Sequence, residues 1–299
     1  MFQGSLVAVI TPFTAKGRVE SGTLERLVQW HISEGSDGIV CCGATGEAPS
    51  LSFADRKKII EICVQTAQNR IPIIAGTGTP DTKETVRLTE LAQRLGATGA
   101  LVITPYYNKP SQRGCVLHYR EVARVGLPLI VYHNPGRTQV WLTVETLTEM
   151  GTIPGVVGVK EASGDINFIT ELKTSSSIPI LSGDDWLSHE TIKRGGVGAI
   201  STIGNLFPRA WKEMIALTLQ GRWAEGQKIS DRFAPFCQTL FTETNPQCVK
   251  YLLSLRGKCK AVYRLPLVIP LSQTQTCLKR ELVRLALPFS SVQQKIYLS

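Results

Sequence analysis

Nowhere in the 299 residues is there an unbroken run of eighteen apolar side chains, the length that a membrane-crossing helix needs. A soluble globular chain with no membrane partner is therefore expected, and the 43% apolar content suits it. The eight cysteines contain no Cys-x-x-Cys pair: Cys41 and Cys42 are adjacent and the rest are scattered. That spacing suits neither a zinc cage nor a secreted disulfide framework, so reduced thiols in the cytoplasm are expected. The histidines at 31, 118, 133 and 189 lack metal-ligand spacing, and no Gly-x-Ser-x-Gly elbow is present, which sets aside a metal site and a serine hydrolase. Met1-Phe2-Gln3-Gly4-Ser5 lacks a basic leader, so no signal or transit peptide is expected. The net charge of +9 is dispersed without interleaved aromatics. An anionic substrate is a better use of that field than nucleic acid.

What is present is alternation. Apolar, strand-like runs at Leu6–Ile10, Ile39–Cys42, Ile71–Ala75, Ala100–Ile103, Leu129–Tyr132, Val156–Lys160, Ile178–Leu181 and Val197–Ile200 are each followed by a helical or loop pattern. Eight such units over about 220 residues predict an α/β fold, a closed (β/α)8 barrel. A doubly wound sheet would more often open on a glycine-rich turn, and Thr11-Pro12-Phe13 supplies none. Beyond Asn205 only amphipathic helical patterns remain. The expected division is a barrel over 1–221 and a helical region over 222–299, with Gln273 to Ser299 read as an extended tail and no flexible linker between the parts.

The stretch Gly155 to Asp165 holds the chemistry. A β-branched run ends there in Lys160, and strand alternation predicts that Lys160 shares a face with Gly158 and Val156, the glycine leaving space beneath the amine. Free lysine titrates near pH 10.4, and burial can lower that by roughly three units, leaving a neutral amine able to form an imine. The alternative is a strand-end lysine reaching solvent. Gly43-Ala44-Thr45-Gly46-Glu47 is either an anion cradle of backbone N–H groups or a tight turn. In Tyr132 to Thr138, Tyr132 could shuttle protons and Arg137 could grip a carboxylate, or they could be packing and a surface cation. Tyr106 and Tyr107 are ambiguous too, paired tyrosines being more often interface aromatics than catalysts.

Together these segments, with Thr104-Pro105-Tyr106-Tyr107 and Leu181-Ser182-Gly183-Asp184-Asp185, resemble the pyruvate-dependent class I aldolases of the N-acetylneuraminate lyase family from Phe2 to about Pro270. The resemblance implies a lyase in which Lys160 forms a Schiff base with pyruvate and condenses it with aspartate 4-semialdehyde to 4-hydroxy-tetrahydrodipicolinate, a step towards diaminopimelate and lysine. It implies Tyr132 as proton relay, Thr45, Gly183 and the backbone at Ile200 as pyruvate holders, and Arg137 as holder of the semialdehyde carboxylate. Tyr107 would be lent across a homodimer, commonly paired into a homotetramer, and no cofactor would be required. Arg137 is the discriminator from the other pyruvate aldolases of the same family, the N-acetylneuraminate lyases and sugar-acid aldolases, because lyases for sialic acid resemble this segment without an arginine there. Two departures stand out. Ala44 replaces the relay hydroxyl, favouring substitution by water or Ser111, or else a catalytically impaired relative with a binding or structural role. Phe53, Arg56 and Pro80 replace the two histidines and asparagine of a lysine-inhibition pocket that retains Tyr106 and Glu84, so feedback by lysine is expected to be weak or absent.

Overall fold

The computed structural model describes residues 2–285. Eight strands, β1 (Gly4–Ala8), β2 (Gly38–Cys41), β3 (Ile73–Gly76), β4 (Gly99–Ile103), β5 (Leu129–His133), β6 (Val156–Glu161), β7 (Ile180–Ser182) and β8 (Gly198–Ser201), pair in sequence order. All neighbours are parallel, and β8 closes on β1 through Ser5 opposite Ala199 and Leu6 opposite Ile200. This is the expected (β/α)8 barrel.

Its strands are apolar on both faces because both are covered. Leu6, Ala8, Val40, Ile74, Leu101, Ile130, Leu181 and Ile200 fill the interior. Their neighbours Val7, Ile39, Cys41, Ile73, Ala100, Val102, Val131 and Ala199 point outward onto the helices. The outer ring is α1 (Ser21–Ser33), α2 (Phe53–Ala67), α3 (Thr82–Arg94), α4 (Gln112–Ala123), the single turn α5 (Pro135–Thr138), α6 (Val144–Gly151), α7 (Ile166–Ser175) and α8 (Ser188–Lys193). Their starts follow local chemistry: Ser52, Asp81, Ser111, Asn134, Thr143 and Asp165 each accept a hydrogen bond from a backbone N–H of the first turn.

One expected face differs. In β6 the pairing with β5 shifts register, Leu129 lying opposite Val156 and Ile130 opposite Gly158, so Val157 is skipped. Val156 therefore joins the outer layer and Val157 packs towards the interior. Strict alternation cannot foresee an inserted residue. At Gly158 the close neighbour is on the β7 side, where a Cβ would lie 3.1 Å from the carbonyl oxygen of Pro179. The room for Lys160 comes from elsewhere.

After the barrel come α9 (Pro208–Leu219), α10 (Trp223–Leu240), α11 (Gln247–Leu255) and α12 (Ser272–Arg284). Phe233 packs edge-on against Trp211 at 5.9 Å between ring centres, and Phe236 packs on Phe207 at 5.4 Å. The tail expected to be extended is helical as far as Arg284, because Thr274, Leu278 and Leu282 form one buried stripe. Its remainder, 286–299, lies outside the described residues.

Candidate active site

A cavity of about 570 Å³ opens at the C-terminal ends of the strands. Lys160 and Tyr132 stand on its wall, cross-strand partners on β6 and β5. Both are buried, with Lys160 7% exposed, and the Lys160 Nζ lies 4.2 Å from the centre of the Tyr132 ring. The Tyr132 hydroxyl accepts a hydrogen bond from Asn134 Nδ2 at 3.0 Å. Among the described residues no carboxylate lies within ion-pair distance of the Lys160 amine. It faces an aromatic ring and the cavity instead of a counter-ion.

Gly183 makes that position possible. A Cβ there would lie 2.9 Å from Lys160 Cε and 2.6 Å from Ala162 Cβ, while the Gly183 N–H donates to the Glu161 carbonyl at 2.6 Å. The next two residues supply carboxyls. Asp184 lines the cavity and accepts from the Gly164 N–H at 2.9 Å. Burial, reinforced by the nearby Glu161, pushes it up to about 6 against the opposing charge of Lys160. Asp185 is buried behind it, pushed up to about 7 by desolvation although the N–H groups of Ile203 and Thr202 donate to it. Asp184 thus shares the cavity wall with Lys160 while lying outside ion-pair distance of its amine.

Opposite lies the loop Gly43 to Glu47. Thr45 is 3% exposed, and its Oγ1 accepts a hydrogen bond from Asn245 Nδ2 at 2.9 Å, so the hydroxyl proton is left to donate elsewhere. The backbone N–H groups of Ala44 and Thr45 donate to no group among the described residues. Arg137, projecting from α5, lines the same cavity and donates to the Asn245 carbonyl at 3.3 Å. The arrangement offers donors for one small carboxylate at Thr45 and a guanidinium for a second farther out.

Of the residues singled out in the sequence, Lys160, Tyr132, Thr45, Ala44, Arg137, Gly183 and Asp184 all line this cavity. Ile200 is buried in the barrel interior below it. Tyr107 is not brought there: it is 92% exposed, with a left-handed φ of 71°, on the loop after β4. Ser111 is not there either, because its hydroxyl accepts from the Gly114 N–H and caps α4. A side chamber of about 180 Å³, lined by Ala44, Arg56, Tyr106 and Tyr132, adjoins the main cavity.

Sequence reasoning passed over Asn245, Glu243, Thr244, Phe241 and Trp186, which complete the outer wall. Trp186 and Phe241 meet edge to face at 5.5 Å. Four of these come from the connection between α10 and α11, more than eighty residues after Lys160. Asn245-Pro246 was the available signal, a dipeptide that marks a turn without saying what the turn approaches.

The model of the Dihydrodipicolinate synthetase family matches residues 1–285. A protein of Thermodesulfovibrio yellowstonii named 4-hydroxy-tetrahydrodipicolinate synthase is 43% identical over 96% of this chain and 99% of its own. The crystal structure of dihydrodipicolinate synthase from Aquifex aeolicus superposes with a TM-score of 0.94 at 39% identity, covering 97% of this chain and all of that one. The chloride-inhibited enzyme of Acinetobacter baumannii, solved in complex with pyruvate, gives a TM-score of 0.94 at 38% identity over 95% of this chain and 99% of that chain.

Proposed function

Because the chain belongs to the Dihydrodipicolinate synthetase family, we propose that it condenses pyruvate with aspartate 4-semialdehyde to 4-hydroxy-tetrahydrodipicolinate through a Schiff base on Lys160. The observation that carries this reading is the buried Lys160 amine facing the Tyr132 ring and an open cavity, without a carboxylate partner in reach.

The chemistry runs in four steps. The Lys160 nitrogen attacks the ketone carbon of pyruvate, and loss of water leaves an imine. The imine draws electrons from the methyl carbon, which gives up a proton and becomes an enamine carbon. That carbon attacks the aldehyde, whose oxygen takes up a proton. The amine of the second substrate then attacks the imine carbon, closes the ring and releases Lys160. Tyr132 moves the protons, with Asn134 orienting its hydroxyl. Thr45 and the free N–H groups of its loop hold the pyruvate carboxylate, Gly183 and the backbone at Ile200 leave room for it and contact it, and Arg137 holds the semialdehyde carboxylate.

Arg137 in the cavity favours this substrate over sialic acid. Tyr107, projecting from the surface of one protomer, fits a residue lent to a partner's cavity, and we assign the chain to a homodimer that can pair into a homotetramer. Eight free cysteines fit a reducing cytoplasm, and no helix among the described residues is long and apolar enough to cross a membrane.

Borohydride reduction with pyruvate, read by peptide mass spectrometry, tests the reading. The expected result is a reduced pyruvyl adduct on Lys160 that disappears in Lys160→Ala, followed by turnover with aspartate semialdehyde and none with sialic acid. An unlabelled chain, or a label on another lysine, would overturn it.

A further inference from the structure

Among the described residues, the most deeply buried lysine–carboxylate pair lies between the loop of Thr45 and α11. Lys250 is 0% exposed and Glu47 1%, with Lys250 Nζ 2.5 Å from Glu47 Oε1. The ammonium also sits 4.1 Å from the Phe13 ring centre, and Glu47 Oε2 accepts from the Arg264 N–H at 3.2 Å. Glu47 holds a left-handed backbone, φ 59°, that an ordinary side chain adopts reluctantly. Burying such a pair costs about as much in desolvation as its attraction returns, so apolar side chains of similar size would serve stability equally well. What they would lack is direction.

Direction matters because the same two segments meet again at the cavity. Two residues before Glu47 is Thr45, and five before Lys250 is Asn245, whose Nδ2 donates to Thr45 Oγ1 at 2.9 Å. The bond consumes an acceptor site of the hydroxyl and leaves its proton for a ligand. We propose that the Glu47–Lys250 pair is the positioning device for the carboxylate-binding end of the site: it locks the loop to α11 in the one register in which Asn245 orients the Thr45 hydroxyl. This rests on the pyruvate reading above, with Thr45 as the carboxylate holder. Neither Glu47 nor Lys250 touches the substrate; they set its affinity through Thr45.

The test uses the full chain carrying Lys250→Met, Lys250→Arg, or the double change Glu47→Gln with Lys250→Met, which leaves no unpaired buried charge. Each is assayed for the pyruvate concentration that half-saturates borohydride trapping, for the trapping rate at saturation, and for thermal stability. Lys250→Met and the double variant should raise the half-saturating concentration at least about 10-fold while the saturated rate changes less than about 3-fold. The double variant should regain stability without regaining affinity, and Lys250→Arg should recover part of the affinity. Wild-type affinity in the folded double variant overturns the proposal. So does failure of the double variant to fold, which would make the pair a requirement of folding and not of positioning. If the wild type itself is not trapped, the pyruvate reading fails instead.

Discussion

Gly183 carries more of the site than its lack of a side chain suggests. Lys160 can lie flat against β7 only because nothing projects from that position, and two of the atoms that a new methyl would meet are the Glu161 carbonyl oxygen and the Ala162 Cβ, which cannot rotate away. Gly183→Ala is therefore expected to cost about 1–3 kcal/mol by overpacking, and to reduce pyruvate trapping on Lys160 by about 100-fold through displacement of the amine. Thermal unfolding and the trapping rate check both. Trapping at the wild-type rate would mean that Lys160 reaches the cavity by another path. The sequence placed the needed space at Gly158, two residues from the lysine on its own strand; the structure places it at the residue just past the end of β7, a relation that only the pairing of β6 with β7 creates.

Helices α2 and α3 carry the residues behind the expectation of weak or absent feedback by lysine. The Arg56 guanidinium is spent bridging two backbone carbonyls, donating to Gly76 at 2.9 Å and to Ala48 at 2.8 Å. On α3, Arg87 forks onto both oxygens of Glu84 at 2.8 Å and holds its carboxyl below the usual range, while its guanidinium stacks 4.2 Å from the Phe53 ring. Glu84 thus carries an exposed ion pair, and Arg56, at a position where the resemblance implies a histidine, is held by two backbone carbonyls. Low millimolar lysine is accordingly expected to leave the condensation rate unchanged. A saturating inhibition curve would contradict this. Residue identities at 53, 56, 80 and 84 were legible in the chain, but the fork from Arg87 was not, because an exposed i to i+3 pair on a helix is ordinarily worth little and signals nothing about a neighbouring pocket.

At the scale of the whole molecule, the site needs more than the barrel. The connection after α10 supplies Asn245 and the outer wall, and Arg264 reaches back to donate to Gly17 and Ser50 and to pair with Asp55 at 2.7 Å. Tyr107 is 92% exposed on the loop after β4. If it completes a neighbour's site, subunits carrying Tyr107→Ala and subunits carrying Lys160→Ala, each inactive alone, should regain about a quarter of wild-type activity when unfolded and refolded together in equal amounts, since half of the dimers are mixed and each holds one complete site. No recovery would place the function of Tyr107 within its own chain or outside catalysis.

The chain by itself determined the eight βα units, the barrel they close into, the strand-end positions of Lys160 and Tyr132, and the places of Thr45 and Arg137 in the segments that follow strands, because side-chain alternation and the burial of both strand faces leave a pattern within a few residues of each element. Only the tertiary structure decided that Gly183 makes room for the amine, that Asn245 sets the Thr45 hydroxyl, and that Glu47 and Lys250 meet. Those are contacts between segments separated by up to about two hundred residues, and no local periodicity encodes which of many apolar and polar side chains will face one another once the barrel has closed.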